Sequence, residues 1–340
     1  MSGPLRAAHE ELLVHTGQHY DDELSAIFVR ELAVPPPDVE LALGGGTNSE
    51  QTARMLAALA ELLRERAPDA VLVYGDTNST LAGALAAAQA GIAVAHVEAG
   101  MRSFDRAMPE EINRVLTDHL SDLLLAPSRV AARNLARESV AGGVEIVGDV
   151  MVDVARVLAP RARADDGPLE RAGVVAGEYV LATAHRAGTV DDPERLARLV
   201  ELLLSVEHPV VLALHPRTRA RLEAADLLAR LEAGAIVLPP LGYLAFTSLL
   251  TRARAVLTDS GGVQKEAYLA GVPCVTLRDT TEWVETVESG WNVLVDLDAG
   301  AAGAALARTA PDARPELYGD GHAADRVVTA IGNHLGSQAA

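Results

Sequence analysis

Lysine is almost absent: one, Lys265, stands among 340 residues, and the other 28 positive charges are arginines against 47 acidic side chains, for a net charge of −18. No basic cluster spans more than a few residues, which excludes nucleic acid as a partner. Cysteine is equally scarce. Cys274, in the strand-like run G-V-P-C-V-T-L, excludes an internal disulfide, and with no histidine beside it reads as a buried structural thiol rather than a nucleophile. Long apolar runs are missing too. Segments such as Ala70-Val71-Leu72-Val73 fall far short of the ~20 residues that cross a bilayer, so no membrane association is expected. The start, M-S-G-P-L-R-A-A-H-E-E, has no basic region leading into an apolar core, so no signal peptide is read and a cytoplasmic location is expected by default.

What remains is an apolar-rich chain, 49% hydrophobic, long enough for two cores. An acidic protein can still bind an anion, but through local arginines, backbone amides and helix N-termini working against its overall field. Short apolar runs alternate with Ala/Leu/Arg-rich segments of helical period, the pattern of βαβ units and parallel sheets. Strands are expected at 11–15, 70–74, 92–97, 123–126 and 144–147, with helices at 49–66, 79–89, 109–120 and 130–138 between them. Gly148 to Arg163 and the polar A-D-D-G-P after it read as a connector at a domain boundary. Strands are then expected at 179–184, 210–214, 235–238, 255–258 and 274–277, with helices at 193–206, 243–252 and 262–270. The expected fold is therefore α/β, two Rossmann-like domains with a cleft between them: 1–150, 151–318, and a C-terminal helix at 319–340 packing back on the first domain. In open parallel sheets, ligands sit at the carboxyl ends of the strands.

Polar motifs cluster at those ends. In L-T-D-S-G-G-V-Q-K-E-A, a strand ending at Asp259 enters a helix through Ser260, Gly261 and Gly262. Free amides there make a phosphate-sized site, with Glu266 one turn on and within reach of a ribose; a tight turn capped by Ser260 is the plainer alternative. Phe246 can stack on a base or simply fill the core. V-Y-G-D-T-N-S-T repeats the strand-to-helix design with Asp76, either an N-cap or a catalytic acid. T-A-H-R puts His185 and Arg186 at another strand end, and L-H-P-R-T puts His215 and Arg217 at a helix start.

The densest stretch is H-V-E-A-G-M-R-S-F-D-R-A-M-P-E-E-I-N-R, His96 to Arg114, with four carboxylates, three arginines and a histidine. Glu110 and Arg114, at i and i+4, can form an ion pair, and Glu111 suits the positive start of a helix opened by Pro109. Neither explains Glu98, directly after a strand. Together with Asp76 and Glu110 it makes a multi-acid site suited to abstracting and returning a proton, since mutual repulsion and partial burial raise the pKa of one member.

With T-G-Q-H-Y-D-D, G-D-T-N-S-T, H-V-E-A-G-M-R-S, M-P-E-E-I-N-R, T-A-H-R, H-P-R-T, D-S-G-G-V-Q-K-E-A and R-D-T-T-E in order, the chain resembles the non-hydrolysing UDP-N-acetylglucosamine 2-epimerases from about Leu12 onward. The resemblance implies a glycosyltransferase-B-like fold, a homodimer, a UDP-sugar substrate, and no metal or other cofactor. It implies elimination of UDP across C1–C2 to 2-acetamidoglucal, then re-addition after reprotonation of C2 from the opposite face. Asp76, Glu98, Glu110 and His185 match the catalytic groups; Arg114, Arg186, His215, Phe246, Ser260, Gly261, Gly262, Glu266 and Arg278 match the substrate and UDP site. Gln18, His19 and Arg54 match a regulatory substrate site. The family's first strand and its G-x-R-P loop precede T-G-Q-H, and Met1 falls in the helix after that loop, so the first domain is expected to lack both. R-D-T-T-E-W-V-E, Arg278 to Glu285, departs from the usual R-P-E and is similar to relatives acting on UDP-2,3-diacetamido-glucuronic acid. A sugar transferase of the same architecture and an inactive nucleotide-sugar binder stay open as alternatives.

Overall fold

The structure, a computed structural model, describes residues 1–18 and 34–338. The chain divides into two compact units, Met1–Val154 with Glu316–Ala340, and Ala155–Pro315. The first division falls inside the helix Val150–Arg163, the segment read above as a connector.

In the first unit, β1 (Val14–His15) pairs with β2 (Val39–Glu40), and β3 (Ala70–Tyr74), β4 (Ala93–Val97), β5 (Leu123–Ala126) and β6 (Gly143–Ile146) form a parallel sheet in chain order. β1 is shorter than the expected 11–15, and the Leu13 amide before it donates to the Asp38 carboxylate at 2.8 Å. β5, Leu-Leu-Leu-Ala, is buried throughout, as a strand covered on both faces must be. One face carries Val73 and Val94 against Met55, Leu59 and Leu63 of the helix Asn48–Arg66 and the alanines of Asn78–Gln89. The other carries Ala95, Val97, Leu123 and Leu125 against Leu5 of the helix Ser2–Ala8 and Val327, Ala330 and Ile331 of the helix Ala323–Gln338. Reciprocal capping boxes, Thr47 with Glu50 and Thr77 with Thr80, start the two helices on the first face.

The second unit is a six-stranded parallel sheet of β7 (Val180–Thr183), β8 (Val210–Ala213), β9 (Ile236–Leu238), β10 (Ala255–Thr258), β11 (Cys274–Thr276) and β12 (Asn292–Leu294). Its spatial order is β12-β11-β10-β7-β8-β9, so the direction of winding reverses between β7 and β10. A crevice for a ligand opens at such a reversal, outside the strand carboxyl ends. Alternate residues feed opposite cores: Val180, Ala182, Leu257 and Val275 on one face, Tyr179, Leu181, Val256 and Cys274 on the other. Cys274 is 2% exposed, and burial pushes its thiol up to about 12, which keeps it protonated and unreactive. The strand Asn292–Leu294 and the short helices Gly167–Ala172, Leu228–Glu232 and Val284–Glu288 have no counterpart in the periodicity; at three to six residues they are too short to show one.

Candidate active site

β3 and β4 pair in register, Tyr74 opposite Val97, so their exits leave the sheet side by side. Gly75 follows β3 at φ +64° and Glu98 follows β4 at φ +74°, a left-handed conformation that costs a non-glycine residue about 1 kcal/mol or more. Glu98 therefore holds a strained place, and its Oε2 lies 3.4 Å from where a Cβ on Gly75 would be. The next residue is Asp76. It is not the N-cap: Thr77 caps the helix Asn78–Gln89, and the Asp76 carboxylate instead accepts a hydrogen bond from Arg114. Arg114 is 3% exposed and also donates to Glu111, at 3.1 Å, so the ion pair within this helix joins i and i+3 rather than Glu110 and Arg114. Glu110 stays half-buried one turn before Arg114.

Glu111 is not a surface acid tuned to the helix dipole. It is 2% exposed and accepts from the Ser103 amide (2.9 Å), the Ser103 hydroxyl (3.0 Å) and the Phe104 amide (2.9 Å), folding the loop 101–108 back onto its own helix. Asn113 ties the helix to the Asp76 loop by donating to the Asp76 carbonyl (3.0 Å) and to Asn78 (3.1 Å). Of the regulatory candidates, Gln18 accepts from the amide and hydroxyl of Ser79 at 2.9 and 2.7 Å, and Arg54 donates to the carbonyls of Leu43, Gly44 and Gly45. His19 lies outside the described residues.

In the second unit the polar groups gather where the winding reverses. The exits of β7 and β10 are locked together: Thr183 and Thr258 share a hydroxyl hydrogen bond of 2.6 Å, and the fully buried Asp259 accepts from the amides of His185 (3.0 Å) and Arg186 (2.9 Å). The His185 ring stacks on His215, centroids 5.4 Å apart. His215 itself caps the helix Pro216–Ala224, accepting from the Arg217 amide at 3.1 Å. Ser260 is the N-cap of the helix Gly261–Ala270 but makes no side-chain cap bond, so its hydroxyl does not occupy the first-turn amides. A Cβ on Gly262 would meet nothing within 4 Å, so the space beside that residue is open.

The two glycines differ in kind. A Cβ on Gly261 would stand 2.1 Å from Glu282 Oε1, so glycine there makes room for a carboxylate. Glu282, 7% exposed, joins Arg186 (3.4 Å) and Arg278 (3.0 Å) and so holds both guanidinium groups beside this turn. The sequence signal for it is R-D-T-T-E, which sets it four residues after Arg278, but it is not among the site residues expected from the motifs. The lone lysine is buried, with its ammonium 4.2 Å from the centroid of the Trp283 ring. Burial pushes the neighbouring Glu266 carboxyl up to about 7, with Lys265 pulling the other way. Phe246, half-buried, packs on the core cluster that contains Leu249 and Leu250. Among the described residues, no group of three or more His, Cys, Asp or Glu stands where it could hold a metal ion, and no helix is long and apolar enough to cross a membrane.

Two Rossmann-like parallel sheets, one bearing acids at its strand exits and the other a glycine turn into a helix at its winding reversal, define a glycosyltransferase-B-like protein. Residues 5–332 match the family model described as UDP-N-acetylglucosamine 2-epimerase. The chain belongs to this family and is an epimerase. It is 48% identical over 328 residues, 94% of this chain and 90% of the relative, to the UDP-2,3-diacetamido-2,3-dideoxy-D-glucuronate 2-epimerase of Pseudomonas aeruginosa. It is 44% identical to the UDP-N-acetylglucosamine 2-epimerase of Methanocaldococcus jannaschii, over 83% of this chain and 80% of that one. The crystal structure of UDP-GlcNAc 2-epimerase from Methanocaldococcus jannaschii in complex with UDP-GlcNAc and UDP superposes with a TM-score of 0.90 at 40% identity, covering 97% of this chain and 95% of that one.

Proposed function

We propose that the protein interconverts UDP-GlcNAc and UDP-ManNAc by removing and returning the proton on C2. The observation that carries this reading is the placing of Glu98 and Asp76 at adjacent strand exits, with the strained Glu98 against Gly75 and the buried Arg114 holding Asp76. One carboxylate takes the C2 proton. The C1–O bond then breaks with its electron pair leaving on UDP, which gives 2-acetamidoglucal. A second acid, with Glu110 as the candidate, protonates C2 from the opposite face, and the diphosphate oxygen adds back to C1. The departing diphosphate gathers negative charge, which His185, Arg186 and the amides of Gly261 and Gly262 stabilise. Glu266 accepts from the ribose hydroxyls, Phe246 lies against the uracil, and Ser260, His215 and Arg278 complete the nucleotide site. The enzyme acts in the cytoplasm as a homodimer, and Gln18, His19 and Arg54 form a regulatory site for the substrate.

A second substrate, UDP-2,3-diacetamido-glucuronic acid, is favoured by two observations. Trp283 and Glu285 of R-D-T-T-E-W-V-E are buried beside the arginine-bearing Glu282, and the Pseudomonas aeruginosa relative with 48% identity carries that sugar in its name. Both sugars tested separately in deuterated water decide between them. The true substrate exchanges its C2 hydrogen and yields its 2-epimer, and failure of both to exchange rejects epimerisation at C2.

A further inference from the structure

Beneath the proposed acids lies a buried charge network that the reaction above does not use. His96, with no exposed surface, places Nδ1 at 2.7 Å from Asp118 Oδ1 and Nε2 at 2.8 Å from the Gly75 carbonyl oxygen. We infer that His96 is a positioning residue, an imidazolium donating from both ring nitrogens, that fixes the Asp76 loop and the Glu98 turn relative to each other. The inference rests on the epimerase reading for what the positioned acids do, but the geometry of the ring stands without it.

Both ring nitrogens of His96 face acceptors. A carbonyl oxygen can only accept. Asp118, fully buried, already accepts from the Gly100 amide (3.0 Å) and pairs with Arg102 (2.7 Å), so it too faces His96 as an acceptor. Burial pushes the Asp118 carboxyl up, but its bonds to His96 and Arg102 outweigh that and hold it below the usual carboxylate range. A neutral ring would turn a lone pair toward one of the two oxygens. Arg102, 2% exposed, carries the network outward to the half-buried Glu138, donating to both of its oxygens at 2.8 and 2.7 Å.

The location gives the ring its role. His96 ends the interior of β4 two residues before Glu98; its Nε2 grips the residue before Asp76; and Asp118 rides on the helix Pro109–Leu120 that also carries Glu110 and Arg114. One side chain thus links all three segments that bear the acids. It touches none of the reacting atoms, and its effect falls on their spacing, where an error of about 1 Å can cost ~100-fold in rate.

The test combines kinetics with a spectroscopic signature. His96→Gln and Asp118→Asn are each expected to lower kcat for C2 exchange about 10- to 100-fold, with KM and UDP affinity within about 3-fold of wild type, because the nucleotide site lies in the other unit. In the double variant the losses should not multiply, since both remove one tie. Wild-type protein labelled with 15N-histidine should show two ring N–H groups for His96. Unchanged kcat in a folded variant, or UDP affinity falling in step with kcat, overturns the positioning role. A single ring N–H overturns the imidazolium, and it can be read even where a substitution prevents folding. Absence of C2 exchange in the wild type rejects the epimerase reading instead and leaves the N–H count to judge the ring.

Discussion

Replacing Glu266 by glutamine should stabilise the unliganded protein at pH 8. Burial raises this carboxyl from 4.5 to about 7. A carboxyl raised on folding holds its proton more tightly in the native state, so stability is fullest below 4.5, declines as pH rises toward about 7, and stays reduced above that. At about 1.36 kcal/mol per pH unit, the deficit is roughly 3 kcal/mol at pH 8 and below ~1 kcal/mol at pH 5. Glutamine keeps the shape and never ionises, so Glu266→Gln should gain about 3 kcal/mol in urea denaturation at pH 8 and under ~1 kcal/mol at pH 5. The cost to the native enzyme makes sense if an ionised acceptor is needed for the ribose. A hydrogen bond to a charged group is worth ~1.5–3 kcal/mol, so UDP affinity in the variant should fall about 10- to 100-fold by calorimetry at pH 8. A variant less stable than wild type at pH 8, or a gain that does not change with pH, would mean that ionised Glu266 does not destabilise the native protein.

The two glycines of the turn should separate cleanly. Gly261→Ala drives a methyl into Glu282, releasing the carboxylate that joins Arg186 and Arg278, and should destabilise by about 3 kcal/mol in thermal melts. Gly262→Ala meets open space, so it should keep or slightly raise stability, by ~0.5–1 kcal/mol, while weakening UDP binding. Glu111→Gln removes a carboxylate that accepts two amides, a hydroxyl and an arginine, and should cost roughly 2–3 kcal/mol in denaturation, with a lower kcat as Arg114 loses its second anchor. Glu98→Gln should abolish C2 exchange yet leave UDP affinity nearly intact; equal exchange in variant and wild type would remove Glu98 from the mechanism.

Much of the architecture was legible because buried parallel strands and amphipathic helices carry distinct periods. Leu123–Ala126 and Ala255–Thr258 read at once as short apolar runs, and Pro109 marked its helix start. Short elements such as Asn292–Leu294 carry too few residues to show a period. At the site, residue types and their positions at strand ends pointed to Asp76, Glu98, His185 and the Ser260 turn. The hidden part was partnership. Glu111 looked like an ordinary first-turn acid until the loop 101–108 folded onto it, and Gly261 looked like a twin of Gly262 until Glu282, brought in from twenty-one residues downstream, filled the space beside it. His96 counts among the titratable groups of the stretch it opens, without partners; only the third dimension puts Gly75 and Asp118 at its two nitrogens. Local spacing specifies which groups a helix or strand presents, whereas ties between distant segments depend on how the elements pack.

Proton transfer at C2 of a UDP-activated acetamido sugar is read out by incubating the wild-type protein in deuterated water with UDP-GlcNAc and, in a parallel reaction, with UDP-2,3-diacetamido-glucuronic acid. Deuterium is expected at C2 in one of the two sugars together with its 2-epimer, with loss of both in Glu98→Gln. Tight binding of UDP with no deuterium at C2 of either sugar would contradict it.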